Sequence, residues 1–108
     1  MSAPLTSLKI LDFSTLLPGP YASMMLADLG AEILRIESPT RPDLVRMLPP
    51  RVNDGSAAHA TLNRSKHSLA LNLKKPEAVK IVKQLVGKYD IVLEQFRPGV
   101  MKRLGLDY

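Results

Sequence analysis

Two stretches of the chain gather the side chains suited to holding an anion. Asn63-Arg64-Ser65-Lys66-His67 sets three basic or titratable groups within five residues. An arginine can grip an oxyanion with two parallel hydrogen bonds, and a lysine adds a point charge. The same composition also suits a solvated basic loop. Gln95-Phe96-Arg97-Pro98-Gly99 is more pointed, because an aromatic face beside an arginine could sandwich a purine and pair with its phosphate. Phe96 qualifies equally as core filler. A third stretch, Pro18-Gly19-Pro20, would either place a helix amino end with its N–H groups beside an anion or simply set a rigid turn.

Groups able to move protons are fewer. Asp12 and Glu94 fall near the ends of strand-like runs, where a carboxylate can act as a general base or, more commonly, cap the turn that follows. His59 and His67 lie eight residues apart with no carboxylate at metal-ligand spacing, so no metal is expected. The chain has no cysteine and hence no thiol chemistry. It has no G-x-S-x-G elbow, no G-x-G-x-x-G and no phosphate-binding G-x-x-x-x-G-K-[ST], so a standard nucleotide site is not expected.

An alternation of short strands and helices must position these groups. Residues 8–13 read as a strand, and residues 20–29 as a helix whose apolar face is Ala22, Met25, Leu26 and Leu29, closed by Gly30. Residues 32–37 read as a second strand. Residues 38–64 are broken by prolines 39, 42, 49 and 50 and by Asp54-Gly55, which predicts a long irregular excursion with short helical turns. Regular structure returns as a strand over 68–73, a helix over 76–86 carrying Ala78, Ile81, Val82 and Leu85, a strand over 91–94, and a helix beginning at Val100. Strand–helix–strand crossovers build parallel sheets, so the expected class is α/β, with a Rossmann-like, mostly parallel sheet and helices on both faces. Ligands bind such sheets beyond the carboxyl ends of the strands, where residues 14–20, 38–41 and 95–99 fall. The alternation stops with a helix barely started, which predicts an incomplete part of a larger domain.

Composition agrees with one soluble globular unit: 108 residues, 45% hydrophobic and 23% charged. No apolar run is long enough to span a bilayer, since residues 16–29 are interrupted by Pro18, Pro20 and Asp28. Asp12 interrupts what would be a signal-peptide core, so a cytoplasmic location is expected. Charge is uneven: residues 1–54 carry five Lys/Arg against six Asp/Glu, and residues 55–108 carry ten against four. The second half therefore suits an anionic partner.

The motifs Leu11-Asp12-Phe13-Ser14, Pro18-Gly19-Pro20-Tyr21-Ala22, Leu26-Ala27-Asp28-Leu29-Gly30-Ala31-Glu32, Arg35-Ile36-Glu37-Ser38-Pro39, Asn63-Arg64-Ser65-Lys66 and Glu94-Gln95-Phe96-Arg97-Pro98-Gly99-Val100 occur in order across nearly the whole chain. Together they resemble the amino-terminal segment of the family III CoA-transferases, the CaiB/BaiF family, which also includes the 2-methylacyl-CoA racemases. The resemblance implies that residues 1–108 are the first part of a CoA-binding Rossmann-like large domain, the remainder and a second domain lying beyond. It implies acyl-CoA and carboxylic acid substrates, coenzyme A rather than a metal, and an interlocked homodimer for the full-length parent. Carried over by position, the CoA contacts would be Leu17 and Pro18 as a backbone wall, Leu71, Asn72, Leu73 and Lys74 after the third strand, Gln95, Phe96 and Arg97 after the fourth, and Arg103 in the last helix. Relatives can carry a basic residue where this chain has Ser38, and commonly Asn in place of Gln95; Arg41 or Arg35 would then supply the first charge.

The family's transferases use an aspartate nucleophile, and its racemases a His and an Asp. Both sets would lie past residue 108, so no catalytic residue is expected within this chain. The expected function is the CoA-binding portion of an enzyme that moves CoA between carboxylic acids through an enzyme-aspartyl intermediate, with 2-methylacyl-CoA racemisation as the alternative. Pro18 and Gly99-Val100-Met101 lean toward racemase-like relatives. A basic nucleic-acid module fits the charge of residues 55–108 but has few aromatics and no recognisable motif. An inert truncated fragment is the remaining alternative. Neither nucleic acid nor membrane is expected as a partner.

Overall fold

A computed structural model describes residues 4–41, 43–47, 49–52 and 55–106. The first strand, β1 (Lys9–Asp12), becomes wholly buried from Ile10 onward, which requires cover on both of its faces. It pairs in parallel with β2 (Glu32–Glu37) on one side and β6 (Ile91–Leu93) on the other, and β2 pairs in parallel with β5 (His67–Ala70). The sheet order is therefore β5-β2-β1-β6. Parallel strands need crossover connections: α1 (Pro18–Asp28) links β1 to its neighbour β2, and α3 (Pro76–Val86) carries the chain from β5 to β6 at the opposite edge. Period-two alternation then sorts the core. Ile10 and Ile33 meet Ala27 and Ala31 at the α1 side, while Leu11, Phe13 and Ile36 meet Val82 of α3 on the other. Each of the fully buried Ile10, Leu11 and Ile33 contributes about 2 kcal/mol by leaving water.

The α/β class and parallel sheet agree with the expectation from sequence; the buried face of α1 does not. Pro20, Ser23, Met24 and Ala27 are buried, whereas Ala22 is exposed, Leu26 is partly buried, and Met25 and Leu29 are 51% and 46% exposed. Because α1 is apolar around most of its circumference, helical spacing fits more than one face. The choice is made by a buried polar contact, Ser23 Oγ donating to Asp12 Oδ2 at 2.7 Å, and by small Ala27 admitting the sheet. Gly30, at φ 103°, ends the helix as expected, its N–H donating to Ala27 O at 2.9 Å.

The excursion after β2 is more ordered than its prolines predict. It holds a 3-10 turn (Leu44–Met47), a small antiparallel hairpin of β3 (Arg51–Val52) and β4 (Gly55–Ser56), and α2 (Ala57–Leu62). Ser56 Oγ caps α2 by accepting from His59 N at 3.4 Å. Val45 is fully buried against Met24 and Leu62, which fastens this segment to α1. Pro42 and Asp54 lie outside the described residues. On α3, Ala78 and Val82 point inward as predicted, but Ile81 is 40% exposed. The last helix, α4 (Val100–Arg103), is a single turn.

Candidate functional site

The turns after β5, β2, β1 and β6 stand side by side along the carboxyl edge of the sheet, because the strand order places them so. Three adjoining cavities open there. One of about 350 Å3 is walled by Phe13, Thr15 and Arg41, by Leu71, Asn72, Leu73 and Lys74, and by Phe96. A wider one of about 1060 Å3 continues past Lys74 and Arg41 to Lys75, Lys80, Lys83 and Arg103. The third, about 610 Å3, is largely apolar, lined by Val82, Val86, Val92 and Met101 with Phe96 and Arg97 at its rim. Phe13 and Phe96 belong to both the first and third cavities, and Arg41, Leu73, Lys74 and Leu104 to both the first and second.

The structure thus brings Leu71, Asn72, Leu73, Lys74, Phe96, Arg97 and Arg103 to one continuous surface. Leu17, Pro18 and Gln95 are not among the residues walling these cavities. Leu17 is half exposed on the neighbouring turn. The Gln95 amide faces that same turn: its Oε1 accepts from Gly19 N at 2.9 Å and its Nε2 donates to Thr15 O.

Local sequence explains these placements. Asn72 Oδ1 accepts from Lys74 N at 3.1 Å, and Asn72 O accepts from Lys75 N at 2.9 Å, so an Asx turn leads β5 into α3 and presents Lys74. Gly99, at φ 86°, turns the chain into α4. Phe96 touches Phe13 with ring centroids 6.5 Å apart and packs on the core cluster of Leu11 and Val82, so it is both core filler and cavity wall.

Electrostatics single out the widest cavity. Among the described residues lining it, Arg41, Lys74, Lys75, Lys80, Lys83 and Arg103 are cationic and none is a carboxylate. Such a one-signed cleft concentrates anions. Lys75, Lys80 and Lys83 belong to no motif; their only signal in the sequence is that Lys80 and Lys83 lie off the apolar face of α3.

Other expected anion holders prove structural. At the α1 amino end, Pro18 and Pro20 have no N–H, Gly19 N donates to Gln95, and Tyr21 N donates to Leu17 O at 2.9 Å. The Pro-Gly-Pro stretch is therefore the rigid first turn of α1, with no free N–H for an anion. In the basic stretch, Arg64 pairs with Asp28 at 2.7 Å and Lys66 is drawn inward. Lys66 Nζ donates to Pro20 O at 3.1 Å and Asn63 Oδ1 at 3.2 Å, and lies 3.9 Å from Asp12 Oδ2. Burial pushes the ammonium of Lys66 down to about 8, overcoming the opposing pull of Asp12. Arg35 is buried between Asp43, at 2.9 Å, and Glu37, at 3.2 Å, so of the two arginines Arg41 stands at the cavity wall.

Both carboxylates considered as bases act as caps. Asp12 Oδ1 accepts from Ser14 N at 2.8 Å and Ser14 Oγ at 2.5 Å, and Glu94 Oε2 accepts from Phe96 N at 2.7 Å. Burial favours the neutral form of Glu37, but hydrogen bonds from Ser68 and Arg46 and the charge of Arg35 outweigh it and hold this carboxyl below its usual range. Burial, with Arg46 and Arg35 nearby, lowers His59. Among the described residues no group of three or more His, Asp or Glu side chains is placed to hold a metal ion, and no helix is long and apolar enough to cross a membrane.

The sequence profile of CoA-transferase family III matches residues 5–108. The chain is 42% identical over 106 residues to human succinyl-CoA:glutarate CoA-transferase, covering 97% of this chain and 24% of that protein. It is 41% identical over 105 residues to acetyl-CoA:oxalate CoA-transferase of Acetobacter aceti, covering 97% and 27%. The crystal structure of a CaiB/BaiF family protein from Brucella suis superposes with a TM-score of 0.90 at 33% identity, over all of this chain and 30% of that one. The chain thus spans about a quarter of the length of the curated relatives it matches. A profile match over nearly every residue, joined to the same fold at one-third identity, shows that this chain belongs to CoA-transferase family III.

Proposed function

We propose that residues 1–108 form the CoA-binding edge of an enzyme that transfers CoA between carboxylic acids. The observation that carries this reading is the acid-free cavity walled by Arg41, Lys74, Lys75, Lys80, Lys83 and Arg103, adjoining the cavity walled by Phe96. CoA joins an anionic nucleotide to an apolar arm ending in a thiol. The cationic walls suit its phosphates, and Phe96 with Leu71, Asn72 and Leu73 suits its adenine. Arg97 supplies a further phosphate partner, while Leu17 and Pro18 lie on the adjoining turn that the Gln95 amide holds. Membership of the family and the names of its relatives support the same substrate class.

In this reading the chain is the first part of a larger CoA-binding domain, and the intact protein is a cytoplasmic homodimer. The exposed stripe Tyr21, Met25 and Leu29 along α1 offers apolar area for such packing. Chemistry would follow from an aspartate outside residues 1–108. Its carboxylate attacks the donor thioester carbonyl and expels CoA thiolate, leaving a mixed anhydride; the thiolate then attacks the aspartyl carbonyl, releases the donor acid and forms an enzyme thioester. The acceptor carboxylate reverses these steps to leave as its own CoA thioester.

The test is a transfer assay on the intact protein, with succinyl-CoA as donor and a panel of dicarboxylates as acceptors. Formation of the acceptor's CoA thioester with equimolar succinate is the expected result. Exchange of the 2-proton of a 2-methylacyl-CoA with deuterated water, without transfer, would replace this reading with racemisation.

A further inference from the structure

The turn between β1 and α1 is gripped from two sides by side chains distant in sequence. On one side Gln95 Oε1 accepts from Gly19 N at 2.9 Å while its Nε2 donates to Thr15 O. On the other, Asp43 Oδ1 accepts from Leu16 N at 3.0 Å. Asp43 is itself fixed, its Oδ1 accepting from Val45 N at 3.0 Å and its Oδ2 from Arg35 at 2.9 Å, with the residue only 4% exposed. Between these grips Leu16 has φ 63°, in the left-handed region that a branched side chain adopts only under external restraint.

We propose that Gln95 and Asp43 are positioning residues that clamp residues 15–19, so that Thr15 and Leu16 meet CoA as a preformed wall. The proposal rests on the CoA-binding reading above. Three features favour it over a direct grip of the ligand by the Gln95 amide. Its oxygen and one of its N–H bonds are already engaged within the turn. Pro18 and Pro20 have no N–H, and Gly19 N donates to Gln95, so the first helical residues cannot hold the turn through their own amides. Finally, Thr15, Leu16 and Asp43 wall the same cavity as Leu71, Asn72, Leu73, Lys74 and Phe96, so movement of the clamp alters that cavity directly. Preorganisation of this kind raises affinity by ordering the wall before the ligand arrives.

The clamp is tested in the intact protein by amide hydrogen exchange without ligand and by calorimetric titration with CoA. Gln95→Ala is expected to speed exchange at Gly19 by about tenfold or more and to weaken CoA binding about fivefold to tenfold, with Ile10, Leu11 and Ile33 protected as in the wild type. Gln95→Glu keeps an acceptor for Gly19 N and should preserve Gly19 protection while losing the donor to Thr15. Asp43→Asn, which retains the Oδ1 acceptor, should leave Leu16 protected. Unchanged exchange at Gly19 in Gln95→Ala overturns the clamp. So does faster exchange with unaltered CoA affinity, or loss of protection throughout β1, which would mark Gln95 as a general fold residue. A wild-type protein that ignores CoA refutes the ligand reading, and the exchange data still decide whether Gln95 holds the turn.

Discussion

Gly19 sits where no larger residue fits, so Gly19→Ala is a sharp test of how α1 docks on the sheet. A Cβ there would stand 2.2 Å from Ser14 Cβ, 2.5 Å from Ser14 Oγ and 2.7 Å from Gln95 Oε1. Ser14 cannot retreat, since it is 1% exposed and its hydroxyl donates to the buried Asp12. Relief requires the first turn of α1 to move by roughly 1.5 Å, given that apolar carbons pack at about 3.5–4 Å. That displacement costs about 1–3 kcal/mol as overpacking, plus about 1 kcal/mol for the Gly19–Gln95 hydrogen bond. Better helix propensity for alanine returns up to about 1 kcal/mol. The net loss of about 1–3 kcal/mol corresponds to a fall in Tm of roughly 5–20 °C for a domain of this size. Circular dichroism melting of the two proteins in parallel reads it directly. Gly87→Ala is the control: its Cβ would meet only Gln84 O at 3.6 Å, and φ is −65°, so little change is expected. A Gly19→Ala protein as stable as the wild type would refute the close approach of turn and helix.

Lys66 gives a pH signature: its folded-state value of about 8 lies below the ordinary 10.5, so the unfolded chain binds the extra proton between those limits and stability rises with pH across them. The rise amounts to at most ~3 kcal/mol, and burial of the Tyr89 hydroxyl, which raises its pKa above 10.0, opposes it at the upper end. Urea unfolding at pH 7.5 and 9.5 checks this, and Lys66→Met should abolish the difference. Val82→Ala, removing a 1% exposed side chain packed on Leu11, Phe13 and Ile36, should cost about 2–3 kcal/mol, whereas Ile81→Ala at 40% exposure should cost about 1 kcal/mol or less, both by urea unfolding. Arg103→Glu should weaken CoA binding about tenfold or more at low salt and less at high salt, with Tm nearly unchanged because Arg103 is exposed.

What the sequence displayed follows physical lines. The strands were legible because the buried centres of β1 and β2 carry short apolar pairs, Ile10-Leu11 and Ile33-Leu34, in segments of strand length. The orientation of α1 was not, because Tyr21, Met25 and Leu29 make its outer face as apolar as its inner one, while Ser23 is buried by a hydrogen bond that hydropathy does not register. Nor was α2, a short helix set between a hairpin and a turn and held by tertiary contacts such as Leu62 on Val45.

In the site, Phe96 and Arg97 stood out through motif and strand position, whereas Leu71 to Lys74 followed only from the family resemblance. Lys75, Lys80 and Lys83 did not stand out, since only the packing of α3 beside α4 and Arg41 gathers them into one cavity. The cluster of residues 63–67 misled in the opposite direction. Arg64 and Lys66 have basic side chains, but an ion pair and a buried ammonium anchor them to α1 and β1.

The most direct test of CoA recognition at this edge is amide and side-chain NMR of the intact protein titrated with CoA. Shifts concentrated at Leu71, Asn72, Leu73, Lys74, Phe96, Arg97 and Arg103 are the expected result, with α2 undisturbed. Saturable binding with shifts confined to α2 and residues 63–67, or no saturable binding at millimolar CoA, would contradict it.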